Sequence, residues 1–187
     1  MRLFIAFDLP EEVRGALREL MSRLKPAAGS VRWVRPEGMH VTLKFIGETD
    51  ANKLDSIRAA LAAIHSPAPA EMRFRGLGFF PDERRPRVIW CGIEASRNVA
   101  ALAADIESAL EPLGIPRETR DFTPHLTLAR IASPGQGRGL VSAAAGVESP
   151  EFGATREIEF HLFESILGRS GAQYKRLATY PFVRAAT

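Results

Sequence analysis

His40-Val41-Thr42-Leu43-Lys44-Phe45-Ile46-Gly47 decides the reading of this chain, because it recurs as His125-Leu126-Thr127-Leu128-Ala129-Arg130-Ile131-Ala132, offset by 125 − 40 = 85 residues. Two of only four histidines share this context. From composition alone, two such His-apolar-Thr-apolar tetrads should arise roughly once in a few thousand sequences of this kind. Both copies read as strands. Residues two apart on a strand share a face, so each histidine projects with its threonine while Val41, Leu43, Leu126 and Leu128 turn toward a core. A slip of one residue would bury the imidazole and expose two aliphatic side chains, which fixes the register. By the same parity Lys44 shares the face of His40 and Thr42, Ala129 holds the equivalent place in the second copy, and Arg130 points with the core-facing Leu128.

Working outward, Leu3 to Phe7 is an apolar strand-like run. Pro10 then opens a helix with Glu11 and Glu12 in its first turn and Val13, Leu17, Leu20, Met21 and Leu24 on one face, ending by Pro26 and Gly29. A second helix follows Asp50 with Leu54, Ile57, Leu61 and Ile64, and a third follows Ser96 with Val99, Leu102, Ile106 and Leu110, stopping by Gly114 and Pro116. Strand-like runs fill the intervals at 31–34, 39–46, 72–79, 88–93, 126–131 and 158–167, with a short one near 178–180. The class is α+β. The segment Ser133-Pro134-Gly135-Gln136-Gly137-Arg138-Gly139 reads as a flexible connector rather than a nucleotide-binding glycine loop.

At 187 residues and 45% hydrophobic, the chain buries a real core as one domain or two tightly joined lobes. No run approaches the roughly 18 apolar residues of a membrane helix, and MRLFIAFDLPEE turns acidic too early for a signal peptide, so a cytoplasmic protein without a membrane partner is expected. The single cysteine, Cys91, lies in an apolar stretch and reads as packing; it excludes an internal disulfide or a cysteine metal site. The charge of +3 is mildly basic and mostly arginine, which suits bidentate phosphate recognition but equally fits genome base composition.

Two opposed imidazoles suit in-line displacement at a phosphodiester, where a base takes a proton from water on one side of phosphorus and an acid protonates the departing sugar oxygen on the other. The Thr42 and Thr127 hydroxyls would donate to the non-bridging oxygens. A zinc site is disfavoured, since two histidines fall short of the three protein ligands typical of catalytic zinc. Lys44 is a candidate phosphate contact, with a solvated rim position as its alternative. Arg130 would reach substrate only if its strand bends, and an ion pair is the alternative. Arg85 and Arg87, in the cluster Arg84-Arg85-Pro86-Arg87, are candidates for RNA backbone contact. Trp33, Phe79, Phe80 and Trp90 are candidate base platforms, although their apolar neighbours favour packing. His65 fits a helix end, and His161, alternating with Glu157 and Glu159, reads as part of a polar face without a catalytic role.

These residues resemble the two-histidine (2H) phosphoesterase superfamily, in particular its bacterial and archaeal RNA 2′,3′-cyclic phosphodiesterase branch, also called 2′-5′ RNA ligase. Beyond the tetrads, the likeness includes Arg2-Leu3-Phe4-Ile5-Ala6, Trp33-Val34, Phe80-Pro81, Pro86-Arg87-Val88-Ile89-Trp90, Phe122-Thr123-Pro124, Tyr174 and Tyr180-Pro181-Phe182. It implies a single bilobal domain over residues 1–187, two pseudo-symmetric antiparallel-sheet lobes with helices outside and a central cleft, acting as a monomer without metal or other cofactor. It implies hydrolysis of an RNA 2′,3′-cyclic phosphate to a 2′-phosphomonoester, His40 as proton donor and His125 as proton acceptor, with a weak reversible 2′-5′ joining activity. The sequence itself does not order the two histidines. A non-catalytic RNA or nucleotide-binding module, or a phosphodiesterase for a small cyclic nucleotide, remains an alternative.

Overall fold

The structure, a computed structural model, describes residues 1–29, 31–148, 150–168 and 171–182. The expected α+β class holds, as two antiparallel sheets flanked by helices. The first sheet has the order β3-β1-β8-β9, from β1 (Arg2–Phe7), β3 (Val41–Glu48), β8 (Glu159–Gly168) and β9 (Gly171–Pro181). The second has the order β2-β6-β5-β4-β7, from β2 (Arg32–Trp33), β4 (Ala70–Phe80), β5 (Val88–Ala95), β6 (His125–Arg130) and β7 (Glu151–Glu157). The duplication is visible in the wiring. A strand, a helix and a motif strand paired back on the first strand occur as β1, α1 (Glu11–Leu24), β3 and again as β5, α3 (Arg97–Leu110), β6.

Helix α1 buries the predicted face of Val13, Leu17, Leu20, Met21 and Leu24, and α3 buries Val99, Leu102, Ile106 and Leu110 together with Ala103. Gly114 closes the turn after α3 with φ of 77°, a left-handed conformation that glycine adopts without steric cost. The second helix, α2, spans Leu54–Ala62. One continuous core joins both sheets, from Leu3, Ile5 and Phe7 through Val41 to Ile89, Leu126 and Leu128. No helix among the described residues is long and apolar enough to cross a membrane.

Two expectations are corrected here. The glycine-rich segment after β6 is the first half of a helix, α4 (Pro134–Ala145), not a connector. Pro134 stands in its first turn, where a missing N–H costs nothing, and the glycines permit close packing. A Cβ on Gly137 would lie 2.5 Å from the Pro86 ring, and one on Gly139 2.4 Å from the Ala27 carbonyl oxygen. The strand near 178–180 is the end of the eleven-residue β9, and β7, which the sequence reading did not contain, pairs along β4 as an edge strand.

Candidate active site

In the first sheet, Ala6 pairs with Thr42 and Ile5 with Lys44, so Leu43 is an extra residue, a β-bulge. On β1, Leu3, Ile5 and Phe7 face the main core, whereas Phe4 and Ala6 join Phe163 in a small separate cluster on the other face. Thr42 therefore lies beside Ala6 on that second face, as expected, but the bulge reverses parity beyond it. Lys44 falls in the core rather than on the histidine face. It is 5% exposed, and its Nζ donates to Glu107 Oε2 of α3 at 2.6 Å and to the Pro116 carbonyl at 2.9 Å. The predicted phosphate contact is thus a buried ion pair. Phe45 takes the cleft position instead, opposite Phe4 and 70% exposed.

The second copy bulges at the matching place. Trp90 pairs with Thr127 and Ile89 with Ala129, leaving Leu128 as the extra residue. Ala129 is buried, and Arg130 pairs with Val88, two residues along β5 from Trp90, so Arg130 shares the face of Thr127 and His125. Simple alternation had turned Arg130 inward; it is exposed on the cleft face.

The motif strands are drawn together by the chain itself. The Val34 N–H donates to the Leu128 carbonyl at 2.9 Å, and only 40 − 34 = 6 steps lead from Val34 to His40. Even fully extended they span roughly 20 Å, and the 3₁₀ turn Pro36–Gly38 shortens the path. Arg14 pins that turn, donating to the Pro36 and Leu9 carbonyls at 2.6 and 2.8 Å. β3 and β6 are in direct contact.

Each imidazole is anchored to the carbonyl two residues before it. His125 Nδ1 lies 2.8 Å from the Thr123 carbonyl oxygen, and His40 hydrogen-bonds the Gly38 backbone. With Nδ1–H donating to a carbonyl, Nε2 of His125 is left for chemistry. Their surroundings differ. His40 stacks on Phe4 at 4.4 Å between ring centroids and meets Tyr174 edge-on at 5.0 Å; Tyr174 in turn rests on Gly38, where a Cβ would come within 2.8 Å of its ring. Burial in this aromatic box pushes the His40 pKa down to about 4, against smaller upward pulls from the Gly38 hydrogen bond and Asp8. Arg176 pairs with Asp8 and lies over Phe163. His125 is half-buried, with Phe80 edge-on at 5.2 Å. Phe80 also packs on Trp90, whose indole lies across Gly78 so closely that a Cβ there would sit 2.2 Å from the ring.

Arg85 and Arg87 are exposed on the β4–β5 loop. The loop is held by Asp82, which accepts the Arg84 and Arg85 N–H groups, and Arg87 Nη1 donates to the Ala132 carbonyl. Of the candidate platforms, Phe79 is core, Trp33 and Trp90 are half-buried and Phe80 is partly exposed. Phe45, more exposed than any of them, was hidden from sequence reading by the bulge. His161 is only 2% exposed, so its polar face is not a solvated one; it pairs with Ala6 and Thr179, and Nδ1 lies 3.0 Å from Thr179 Oγ1. Cys91 is buried, which raises its thiol pKa to about 12. Among the described residues no group of three or more histidine, cysteine or acidic side chains is placed to hold a metal. A cavity of about 290 Å³ near the N-terminus, lined by Met1, Glu48, Asp50 and Lys53 among others, contains neither motif histidine and offers no acid–base pair of this kind.

Comparison with known proteins finds relatives over most of the chain. The model of the LigT-like phosphoesterase family matches residues 7–90 and 93–174. The RNA 2′,3′-cyclic phosphodiesterase of Archaeoglobus fulgidus is 32% identical over 180 residues, covering 96% of this chain and 99% of its own. That of Methanothermobacter thermautotrophicus is 32% identical over 181 residues, covering 96% and 98%. The crystal structure of E. coli LigT complexed with 3′-AMP superposes with a TM-score of 0.78 at 28% identity, covering 98% of each chain. The fold is that of a two-sheet phosphoesterase. The chain belongs to the LigT-like phosphoesterase family.

Proposed function

We propose that this protein hydrolyses the 2′,3′-cyclic phosphate end of an RNA to a 2′-phosphomonoester, with His125 as proton acceptor and His40 as proton donor. His125 takes a proton from water as the water oxygen bonds to phosphorus, the bond from phosphorus to O3′ breaks, and His40 delivers its proton to that oxygen. Thr42 and Thr127 hold the non-bridging oxygens, and Arg130, Arg85 and Arg87 meet substrate phosphates. The observation that carries the reading is the repeated motif itself, in which each threonine shares the face of an imidazole whose ring is anchored to the carbonyl two residues upstream.

The two environments support this order of roles. A pKa pushed to about 4 leaves His40 uncharged in the free protein. An anionic phosphate beside it favours the imidazolium, as Asp8 already does, and an imidazolium held in an apolar box is the stronger acid toward a poor alkoxide leaving group. His125, with less aromatic cover, is the better placed to reach water. Phe45 supplies a flat exposed surface for the terminal base. No cofactor is needed, and the same chemistry run with an RNA 5′-hydroxyl in place of water gives weak 2′-5′ joining.

The test is turnover of an oligonucleotide with a 2′,3′-cyclic end by wild type, His40→Ala and His125→Ala, with the product's phosphate position assigned. Each variant should lose turnover by at least about a hundredfold while keeping its circular dichroism. Wild-type rates in either variant, or a 3′-phosphate product, would overturn the assignment.

A further inference from the structure

Arg130 has an unexplained neighbour. β2 and β6 pair antiparallel with Arg32 directly opposite Arg130, and Arg130 in turn opposes Val88. Arg32 therefore projects from the same face as Arg130, Thr127 and His125. Like charges directly opposed on an antiparallel pair destabilise it. Here they sit on the shortest ladder of the sheet, since β2 has two residues. Both arginines are exposed. Neither has a carboxylate within 4.0 Å among the described residues, unlike Arg73 on β4 of the same sheet, which pairs with Glu151 across to β7. A repulsive pair kept at a cleft rim without counter-charge is a site prepared for an anion.

We infer that Arg32 and Arg130 clamp a second phosphate of the substrate, the internal phosphodiester that joins the terminal nucleotide to its 5′ neighbour. The inference rests on the reading of the preceding section. The reacting phosphate belongs with the imidazoles and Thr127. Arg130 lies two strand steps farther along, about 7 Å, and Arg32 farther again toward the sheet edge. A phosphodiester has two non-bridging oxygens, one for each guanidinium fork. The clamp makes the site selective for an RNA end over a mononucleotide, because a mononucleotide leaves both guanidinium groups facing each other.

Steady-state rates on cytidine 2′,3′-cyclic phosphate and on a dinucleotide ending in the same cyclic phosphate test this. The wild-type kcat/KM should favour the dinucleotide by about tenfold or more, and Arg32→Gln should lower that ratio about tenfold, the loss of one charge-assisted contact. Arg32→Lys should recover part of it. Equal losses on both substrates, or an undiminished ratio, would overturn the clamp. Calorimetric binding of the corresponding 2′-phosphate products separates this inference from the hydrolase reading. If wild type turns over neither substrate, an Arg32-dependent preference for the dinucleotide product upholds the clamp and sinks the hydrolase; no preference sinks both.

Discussion

Replacing Lys44 with methionine removes one half of a buried ion pair and keeps most of the stem. Lys44 and Glu107 side chains are 3% and 15% exposed and 2.6 Å apart. At that distance an effective dielectric of about 20 gives an attraction of roughly 6 kcal/mol, most of which offsets the desolvation of the two charges. What the single variant loses is larger than the net worth of the pair. Glu107 keeps only the 3.3 Å contact from the Glu118 N–H, and the Pro116 carbonyl loses its donor. The expected cost is about 3–5 kcal/mol, a fall in Tm of roughly 10 °C for a chain of this size. The double variant Lys44→Met, Glu107→Leu leaves no orphaned charge and should return to within about 1–2 kcal/mol of wild type. Urea unfolding at pH 7 reads both. If Lys44→Met costs under about 1 kcal/mol while abolishing turnover, Lys44 touches substrate and the bulge-based placement is wrong; a double variant as unstable as the single would refute the energetics.

Other consequences are as direct. The His40 pKa of about 4 lies below its ordinary 6.5, so the unfolded chain binds the proton first. That stability is complete above about pH 6.5 and is lost as pH falls through 4, about 2 kcal/mol of it by pH 5. Comparing urea midpoints at pH 7.5 and 5 in wild type and His40→Gln should show this part of the loss in wild type alone. Gly139→Ala inverts the usual helix preference: alanine normally stabilises a helix interior by about 1 kcal/mol, but here its Cβ would lie 2.4 Å from the Ala27 carbonyl oxygen, so a loss of about 1–3 kcal/mol is expected. A raised Tm would show that the contact relaxes freely. Phe45→Ser, at an exposed position, should weaken binding of the terminal nucleotide by about five- to a hundredfold, the worth of one base stack; an unchanged KM would remove Phe45 from the site.

Much of this was legible in the sequence because it depended on periodicity. The helix faces of α1 and α3, the strand character of both motifs and the shared face of each histidine with its threonine all follow from spacings of 3.6 and 2. What was not legible depended on single backbone irregularities. The bulges at Leu43 and Leu128 look in sequence like ordinary apolar alternates, yet each reverses the parity of everything after it. One exchanged Lys44 for Phe45 on the cleft face, and the other brought Arg130 out. Helix α4 was missed because glycine argues against a helix, whereas here Gly137 and Gly139 are the condition for seating it against Pro86 and Ala27. His161 reads in sequence as part of a polar face because its neighbours are acidic, and only the pairing of β8 between β1 and β9 shows that it is covered.

The paired bulges also divide each motif into a constant and a variable part. The histidine and threonine precede the irregularity, and the next side chain to face the cleft follows it, on a stretch of strand whose own alternation starts afresh. Positions 45 and 130 are therefore interchangeable sockets, one per lobe, both open to solvent and free of the hydrophobic interior. A library randomised at these two positions would vary the side chains beside the two motifs while leaving His40, His125, both threonines and the packing beneath them in place.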